Sequence, residues 1–260
     1  MNIRSHFSLA RRLPEWLRIP LCGKREFSTQ GRDPQDFDWL AWKASYMKFY
    51  QSTQKSGMGK LVNDAGYQIL SKVDISGLAC LEIGPGTLPH MPFWHTAPAR
   101  FDLVDINQEM LDASSALLRE KEIPSSSFLS GDAAVIPVPD ASYDALVTFY
   151  SLEHLYPLDA FLSEYMRVLK PNGLLIGAIP AEGGLAWGLG RMLTSRRYTR
   201  KHFTFDFDKI TAWEHCNTAE DILTALDVRF ILQYRDYWPL RVPLIDTNLV
   251  IRFIYRKSSA

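Results

Sequence analysis

A chain of 260 residues suits one large domain with additions better than two independent units. With 47% of residues apolar and 22% charged, it has the balance of a globular protein with a substantial core. Lys plus Arg equals Asp plus Glu, 29 against 29, so no net field draws it to a nucleic acid or an anionic membrane.

From Met1 to Pro14 the chain carries Arg4, Arg11 and Arg12 and no acid, with Ile3, Phe7, Ala10 and Leu13 at helical spacing. Residues 1–37 therefore read as a basic N-terminal arm. A mitochondrial presequence is the alternative, with Arg25-Glu26-Phe27-Ser28 as its processing site. Cys22, Cys80 and Cys216 are odd in number and widely spaced, as reduced thiols in a cytoplasmic (or mitochondrial matrix) protein would be. Residues 38–74 are predicted as a helical cap. Its first helix starts at Asp38 and puts Trp39, Trp42, Tyr46, Phe49 and Tyr50 on one stripe, either packed as core or laid over a ligand as a lid. Its second helix covers Lys60 to Val73.

Residues 75–260 change to alternating strands and helices. Strands are expected at Leu78 to Ile83, Phe101 to Val104, Ser126 to Leu129, Tyr143 to Phe149 and Leu174 to Ile179. Two late runs, Val228 to Gln233 and Leu249 to Tyr255, complete seven. Asn107 can cap a helix carrying Met110, Leu111, Leu117 and Leu118, and Leu158 to Leu169 is a second helix, stopped by Lys170-Pro171-Asn172-Gly173. Such alternation implies an α/β fold: a mostly parallel sheet with helices on both faces, its last strand antiparallel. Residues 181–218 interrupt the pattern as an insertion of mixed character.

The most informative stretch is Leu81-Glu82-Ile83-Gly84-Pro85-Gly86-Thr87. A strand running into Gly-x-Gly makes a turn without Cβ atoms, so a ligand can approach its backbone. Asp105 ends the next strand, 19 residues after Gly86, where a carboxylate can accept from both hydroxyls of a ribose. A dinucleotide would call for a third glycine, and Pro89 stands there. Glu82 beside the turn repels a pyrophosphate but suits a ligand bearing an ammonium and a sulfonium. Gly131-Asp132-Ala133 follows the third strand, where an acid and an amide can read an adenine.

In that order and spacing, LEIGPGT at 81–87, VDIN at 104–107, GDA at 131–133, YDALVTFYSLEHL at 143–155 and MRVLKPNGLL at 166–175 resemble a class I S-adenosylmethionine-dependent methyltransferase of the small-molecule type. The resemblance implies a Rossmann-like fold and S-adenosylmethionine as cofactor. It implies Glu82 near the amino end of the cofactor's methionine, Gly84 and Gly86 along it, Asp105 on the ribose with Ile106 beside it, and Asp132 and Ala133 at the adenine. Leu88-Pro89 replaces a further glycine of the family pattern, which affects the first helical turn. The resemblance covers about 40% of the chain, outside the first 70 residues and the 181–218 insertion.

Methyl transfer from a sulfonium is an in-line displacement in which the protein aligns the acceptor and excludes water. Acceptors that carry a proton also need a base. His154 is the candidate, because an imidazole titrates near neutrality and this one follows the fourth strand at its C-terminal end. The alternative is that Glu153 and His154 only cap or pack the turn. Tyr150 is a candidate acceptor contact. Arg196 and Arg197, within a run of five cations from Arg191 to Lys201, can grip an anionic group on a small-molecule acceptor or form a solvated face. The histidines lack ligand spacing, so no metal is expected. A non-catalytic S-adenosylmethionine-binding partner and a nucleotide-dependent oxidoreductase are the competing readings.

Overall fold

A computed structural model describes residues 6–24, 33–53, 57–130 and 135–259, with the backbone alone at 46–53, 57 and 58. The seven strands are β1 (Ala79–Ile83), β2 (Arg100–Asp105), β3 (Ser127–Leu129), β4 (Tyr143–Phe149), β5 (Leu169–Pro180), β6 (Ile231–Trp238) and β7 (Val250–Arg256). They form one sheet in the order β3-β2-β1-β4-β5-β7-β6. All neighbours are parallel except β7, which runs antiparallel to both β5 and β6. The order reverses between β1 and β4, so the C-terminal ends of β1, β2 and β4 flank a crevice, the usual ligand position in such sheets.

Strand parity sorts the sheet into two cores. Leu81, Ile83, Leu146, Leu175 and Ile179 point to one face, covered by α5 (Leu158–Val168) and α9 (Ala219–Arg229). Cys80, Ala145, Val147, Ile176 and Ala178 point to the other, covered by α3 (Gly57–Tyr67), the short turn of helix Gln68–Lys72 and α4 (Gln108–Glu120). β5 is central and nearly all apolar. Its pairing with β4 steps from Leu169 directly to Leu174, so Lys170-Pro171-Asn172-Gly173 loops out, with Asn172 at φ +62°. Asn107 caps α4 by accepting from the N–H groups of Glu109 and Met110. Thr218 and Asp221 close a capping box on α9.

The sixth strand starts later than its apolar run suggests. Val228 and Arg229 still belong to α9, whose capping box fixes its start, and the strand begins at Ile231. The insertion folds as three helices, α6 (Leu185–Leu193), α7 (Ser195–His202) and α8 (Phe207–Glu214). The cap helix α2 (Phe37–Thr53) packs on α8: Trp39 meets Trp213 edge-on at 6.2 Å, and Trp42 meets Phe205 at 5.6 Å. This part of the aromatic stripe is core, against a helix instead of the sheet; the side chains of Tyr46, Phe49 and Tyr50 lie outside the described residues.

The basic arm is docked over its described length. α1 (Glu15–Cys22) buries Leu21 and Cys22 near Leu185 and Met192 of α6. Arg11 reaches Asp221 at 2.9 Å and Arg12 reaches Glu220 at 2.9 Å, so two of the arm's cations neutralise the acidic first turn of α9. No helix is long and apolar enough to cross a membrane among the described residues.

Candidate active site

The glycine turn after β1 is held by its neighbours. Gly84 sits at φ +73° and Gly86 at φ +55°, conformations that glycine adopts without a Cβ penalty. The Gly84 N–H donates to the Val104 carbonyl at 2.9 Å, and a Cβ on Gly84 would stand 3.0 Å from that of Ser151. Ser151 donates to the Ile83 carbonyl at 3.0 Å, so the turn after β4 is packed directly against the glycine turn.

Asp105 ends β2 half-buried. Its carboxylate accepts from the Asn107 N–H at 2.9 Å and draws on those of Ile106 and Gly86. Burial pushes this carboxyl up, those N–H groups oppose the rise, and the charge of Glu82 adds to it. Beside it Ile106 is 75% exposed, an apolar side chain left uncovered next to a carboxylate. Leu129 pairs with Asp105 across the β2–β3 ladder and is also exposed. Main chain, acid and apolar surface thus meet at one point, which fits a nucleoside with cationic character. Gly131, Asp132 and Ala133 lie outside the described residues.

Glu82 is placed differently from the expected position facing a ligand. Strand parity turns it to the Cys80 face, where it is 1% exposed and His90 Nε2 sits 2.9 and 2.8 Å from its two oxygens. Trp94 donates its indole N–H to His90 Nδ1 at 3.0 Å, which makes Nε2 the protonated nitrogen that donates to Glu82. The acid therefore lies at the end of β1 as a buried negative charge that accepts its direct hydrogen bonds from His90. The sequence held a weak sign of this partner, a histidine in the turn after the glycines, but no rule of spacing selects it.

The turn after β4 gathers a second set of groups. Tyr150, at φ +53°, donates its hydroxyl to the carbonyls of Val62 and Asn63 at 3.0 and 3.1 Å, and a Cβ on Gly66 would overlap its ring. Burial pushes its phenol well up. It fastens α3 to the sheet, so its hydroxyl is committed and does not face an acceptor. His154 is 37% exposed on its side chain and donates through Nδ1 to the Glu214 carbonyl at 2.7 Å. In the neutral ring that bond makes Nε2 the basic nitrogen. Glu153 beside it is buried, and burial pushes its carboxyl up to about 7.

Two groups reach this cluster from elsewhere in the chain. Glu182, just past the end of β5, is fully buried and accepts from Trp187 at 2.5 Å and from His215 Nδ1 at 3.0 Å. His215, past the end of α8, packs edge-on against His154 with ring centres 4.8 Å apart. Sequence reasoning missed both. Glu182 was findable, since the strand-end rule that selected His154 after β4 selects it after β5. His215 had no local signal.

Arg196 is bound to Asp208 by two hydrogen bonds of 3.0 and 2.7 Å, both side chains largely buried. This pair joins α7 to α8 and commits the guanidinium that was expected to hold an acceptor. Arg197 is exposed on the outer face of α7. Among the described residues no cluster of three or more His, Cys, Asp or Glu is arranged to hold a metal.

Residues 81–177 match the family model of a methyltransferase domain. The chain is similar to the fatty-acid O-methyltransferase of Mycolicibacterium smegmatis, 33% identical over 109 residues, covering 41% of this chain and 38% of the relative. It is also similar to the malonyl-[acyl-carrier protein] O-methyltransferase of Yersinia pestis, 31% identical over 153 residues, 58% of this chain and 55% of the relative. It therefore spans 38 to 55% of the length of these curated relatives. A solved S-adenosylmethionine-dependent methyltransferase from Aquifex aeolicus superimposes with a TM-score of 0.54 over 81% of this chain and 97% of that one, at 14% identity, a likeness of fold.

Proposed function

We propose, from the premise that this chain carries a class I S-adenosylmethionine-dependent methyltransferase domain, that it transfers the methyl group of S-adenosylmethionine to a small or medium-sized acceptor. The observation that carries this reading is the meeting of Asp105, the exposed Ile106 and the positive-φ turn Gly84-Pro85-Gly86 at the switch point of the sheet. Asp105 would accept from the ribose hydroxyls and Ile106 would cover the adenine, with Asp132 and Ala133 at its edge. Gly84 and Gly86 would give the methionine portion access to the main chain. Glu82 would act through its buried charge at the end of β1, favouring a cation at the turn.

When bound, the cofactor supplies an electrophilic methyl group on a sulfonium. The chain's part is to exclude water and to align the acceptor with that methyl. His154, whose Nδ1 faces the Glu214 carbonyl so that Nε2 is the basic nitrogen of the neutral ring, and whose turn is packed against Gly84 through Ser151, is the base this site offers. The relatives' acceptors are a fatty acid and a malonyl group on a carrier protein, so acyl carboxylates belong in the first assay, beside hydroxyl and amine acceptors.

The test is mass spectrometry of a metabolite extract incubated with the pure chain and isotopically labelled cofactor. A labelled product that depends on the chain supports the reading and identifies the acceptor. A His154→Ala variant is expected to keep cofactor affinity and lose turnover by about 10²- to 10⁴-fold. Equal turnover would remove His154 as the base.

A further inference from the structure

Glu153 is 2% exposed, and its Oε2 makes no hydrogen bond among the described residues. A buried carboxylate in that state is costly, and it persists in structures chiefly where the group changes its protonation. Burial pushes this carboxyl up to about 7; the positive charge of His215 opposes that rise and the negative charge of Glu182 reinforces it. His154 Nε2, the basic nitrogen of that ring, lies 4.0 Å from Glu153 Oε1. Among the described residues the other charged or titratable groups around the pair are Glu214, 3.7 Å from His154 Nδ1, Arg191, 3.6 Å from Glu182, the Tyr150 phenol, and the Cys216 thiol, which donates to the Glu153 carbonyl at 3.4 Å. Three carboxyls thus stand against one guanidinium and two imidazoles, a setting that favours a bound proton and disfavours an incoming carboxylate.

We propose that Glu153 and His154 are the proton-holding pair of the acceptor site, and that the acceptor is therefore a nucleophile that gives up a proton, a hydroxyl or an amine, and not a carboxylate. This rests on the methyl-transfer reading above. The X–H bond of the acceptor breaks with its electron pair left on X; that pair forms the new bond to the methyl carbon as the carbon–sulfur bond of the sulfonium breaks, its pair going to sulfur and the demethylated thioether leaving. The proton passes to Nε2 of His154 and then to the carboxylate of Glu153, removing one buried negative charge. His215 is a positioning residue: it donates to Glu182 and holds the His154 ring by its edge. The acids set this chain apart from methyl transfer to a carboxylate, because a carboxylate acceptor has no proton to give.

Nitrogen-15 NMR of the full chain labelled at histidine follows the His154 ring against pH. In the unaltered chain the His154 curve should show a second inflection near neutrality, from Glu153. Glu153→Gln should abolish it and lower the His154 midpoint by about 0.7 pH units or more, the effect of removing one charge at about 4 Å even in water. A His154 curve unchanged by the substitution overturns the pair. If the variant does not fold, infrared difference spectra of the unaltered chain decide: a buried protonated-carboxyl band that vanishes as pH rises through neutrality supports the pair, and no such band overturns it. The labelled product then tests the acceptor class. Methyl label that resists mild alkali and is placed on oxygen or nitrogen by fragmentation of the product supports it; label on carbon, or label released as methanol from an ester, overturns it. Calorimetry with S-adenosylmethionine on the same samples reads the cofactor site alone, so coupled titration without cofactor binding would sink methyl transfer and leave the proton pair standing.

Discussion

The C-terminal ends of β1 and β2 and those of β4 and β5 present carboxylates along the same edge of the sheet, but the two pairs are assembled differently. On the cofactor side the parts come from one continuous stretch: the glycine turn, His90 bonded to Glu82, and Asp105 tied to the N–H groups of Asn107, Ile106 and Gly86. Much of the proposed binding surface there is main chain. On the acceptor side Glu153, Glu182 and His215 come from three separate connections, and side chains hold one another: Glu182 with His215 and Trp187, Arg196 with Asp208. A site made of main chain carries its signature in local sequence. A site made of side chains drawn together by the fold does not.

The comparison breaks or holds on four substitutions and one control, the four given from the largest effect to the smallest. Arg196→Ala strands the carboxylate of Asp208 and should cost about 3–5 kcal/mol of stability, whereas Arg197→Ala on the exposed face should stay within about 0.5 kcal/mol. Urea unfolding of both variants checks this, and equal effects would show that the α7–α8 pair is not structural.

Glu153 gives the next effect through pH. Its folded carboxyl is pushed up to about 7 from an ordinary value of 4.5, so the folded chain binds more protons than the unfolded one between those values. Stability must then fall as pH rises through that window, by on the order of 3 kcal/mol in total. Glu153→Gln should flatten this slope, which denaturant midpoints measured from about pH 5 to 8 would reveal. A slope shared by variant and parent would place the titrating group elsewhere.

On the cofactor side, Gly84→Val adds a Cβ 3.0 Å from that of Ser151 at φ +73°, and should cost about 2–3 kcal/mol together with cofactor affinity. Asp105→Ala should leave the fold intact and weaken S-adenosylmethionine by about 10- to 100-fold, the worth of hydrogen bonds to a charged group. If Asp105→Ala unfolds the chain instead, the division between main-chain and side-chain sites is wrong.

The same division explains what could be read in the sequence. The alternation of strands and helices, the apolar β5, the Asn107 cap and the glycine turn are local patterns, and each appears in the fold near its expected place. The start of β6 was misjudged because an apolar run straddles the end of α9 and the strand behind it. The insertion gave no clear pattern because the sequence of α7 is almost entirely polar; Thr199 and the Arg196–Asp208 pair supply its inner side. Asp105 ends β2 with Ile106 exposed beside it, while Glu82 faces His90, which no spacing rule selects. Tyr150 and Arg196 looked like acceptor contacts by position. Their polar groups are spent on α3 and Asp208, commitments that exist only once the chain is folded.

The central claim is that the glycine turn and Asp105 form a site for a cationic nucleoside. Isothermal titration calorimetry of the full chain with S-adenosylmethionine tests it most directly. Saturable binding of one cofactor per chain, weakened by Asp105→Ala, is the predicted result; no binding heat and no rise in melting temperature with either S-adenosylmethionine or its demethylated product would contradict it.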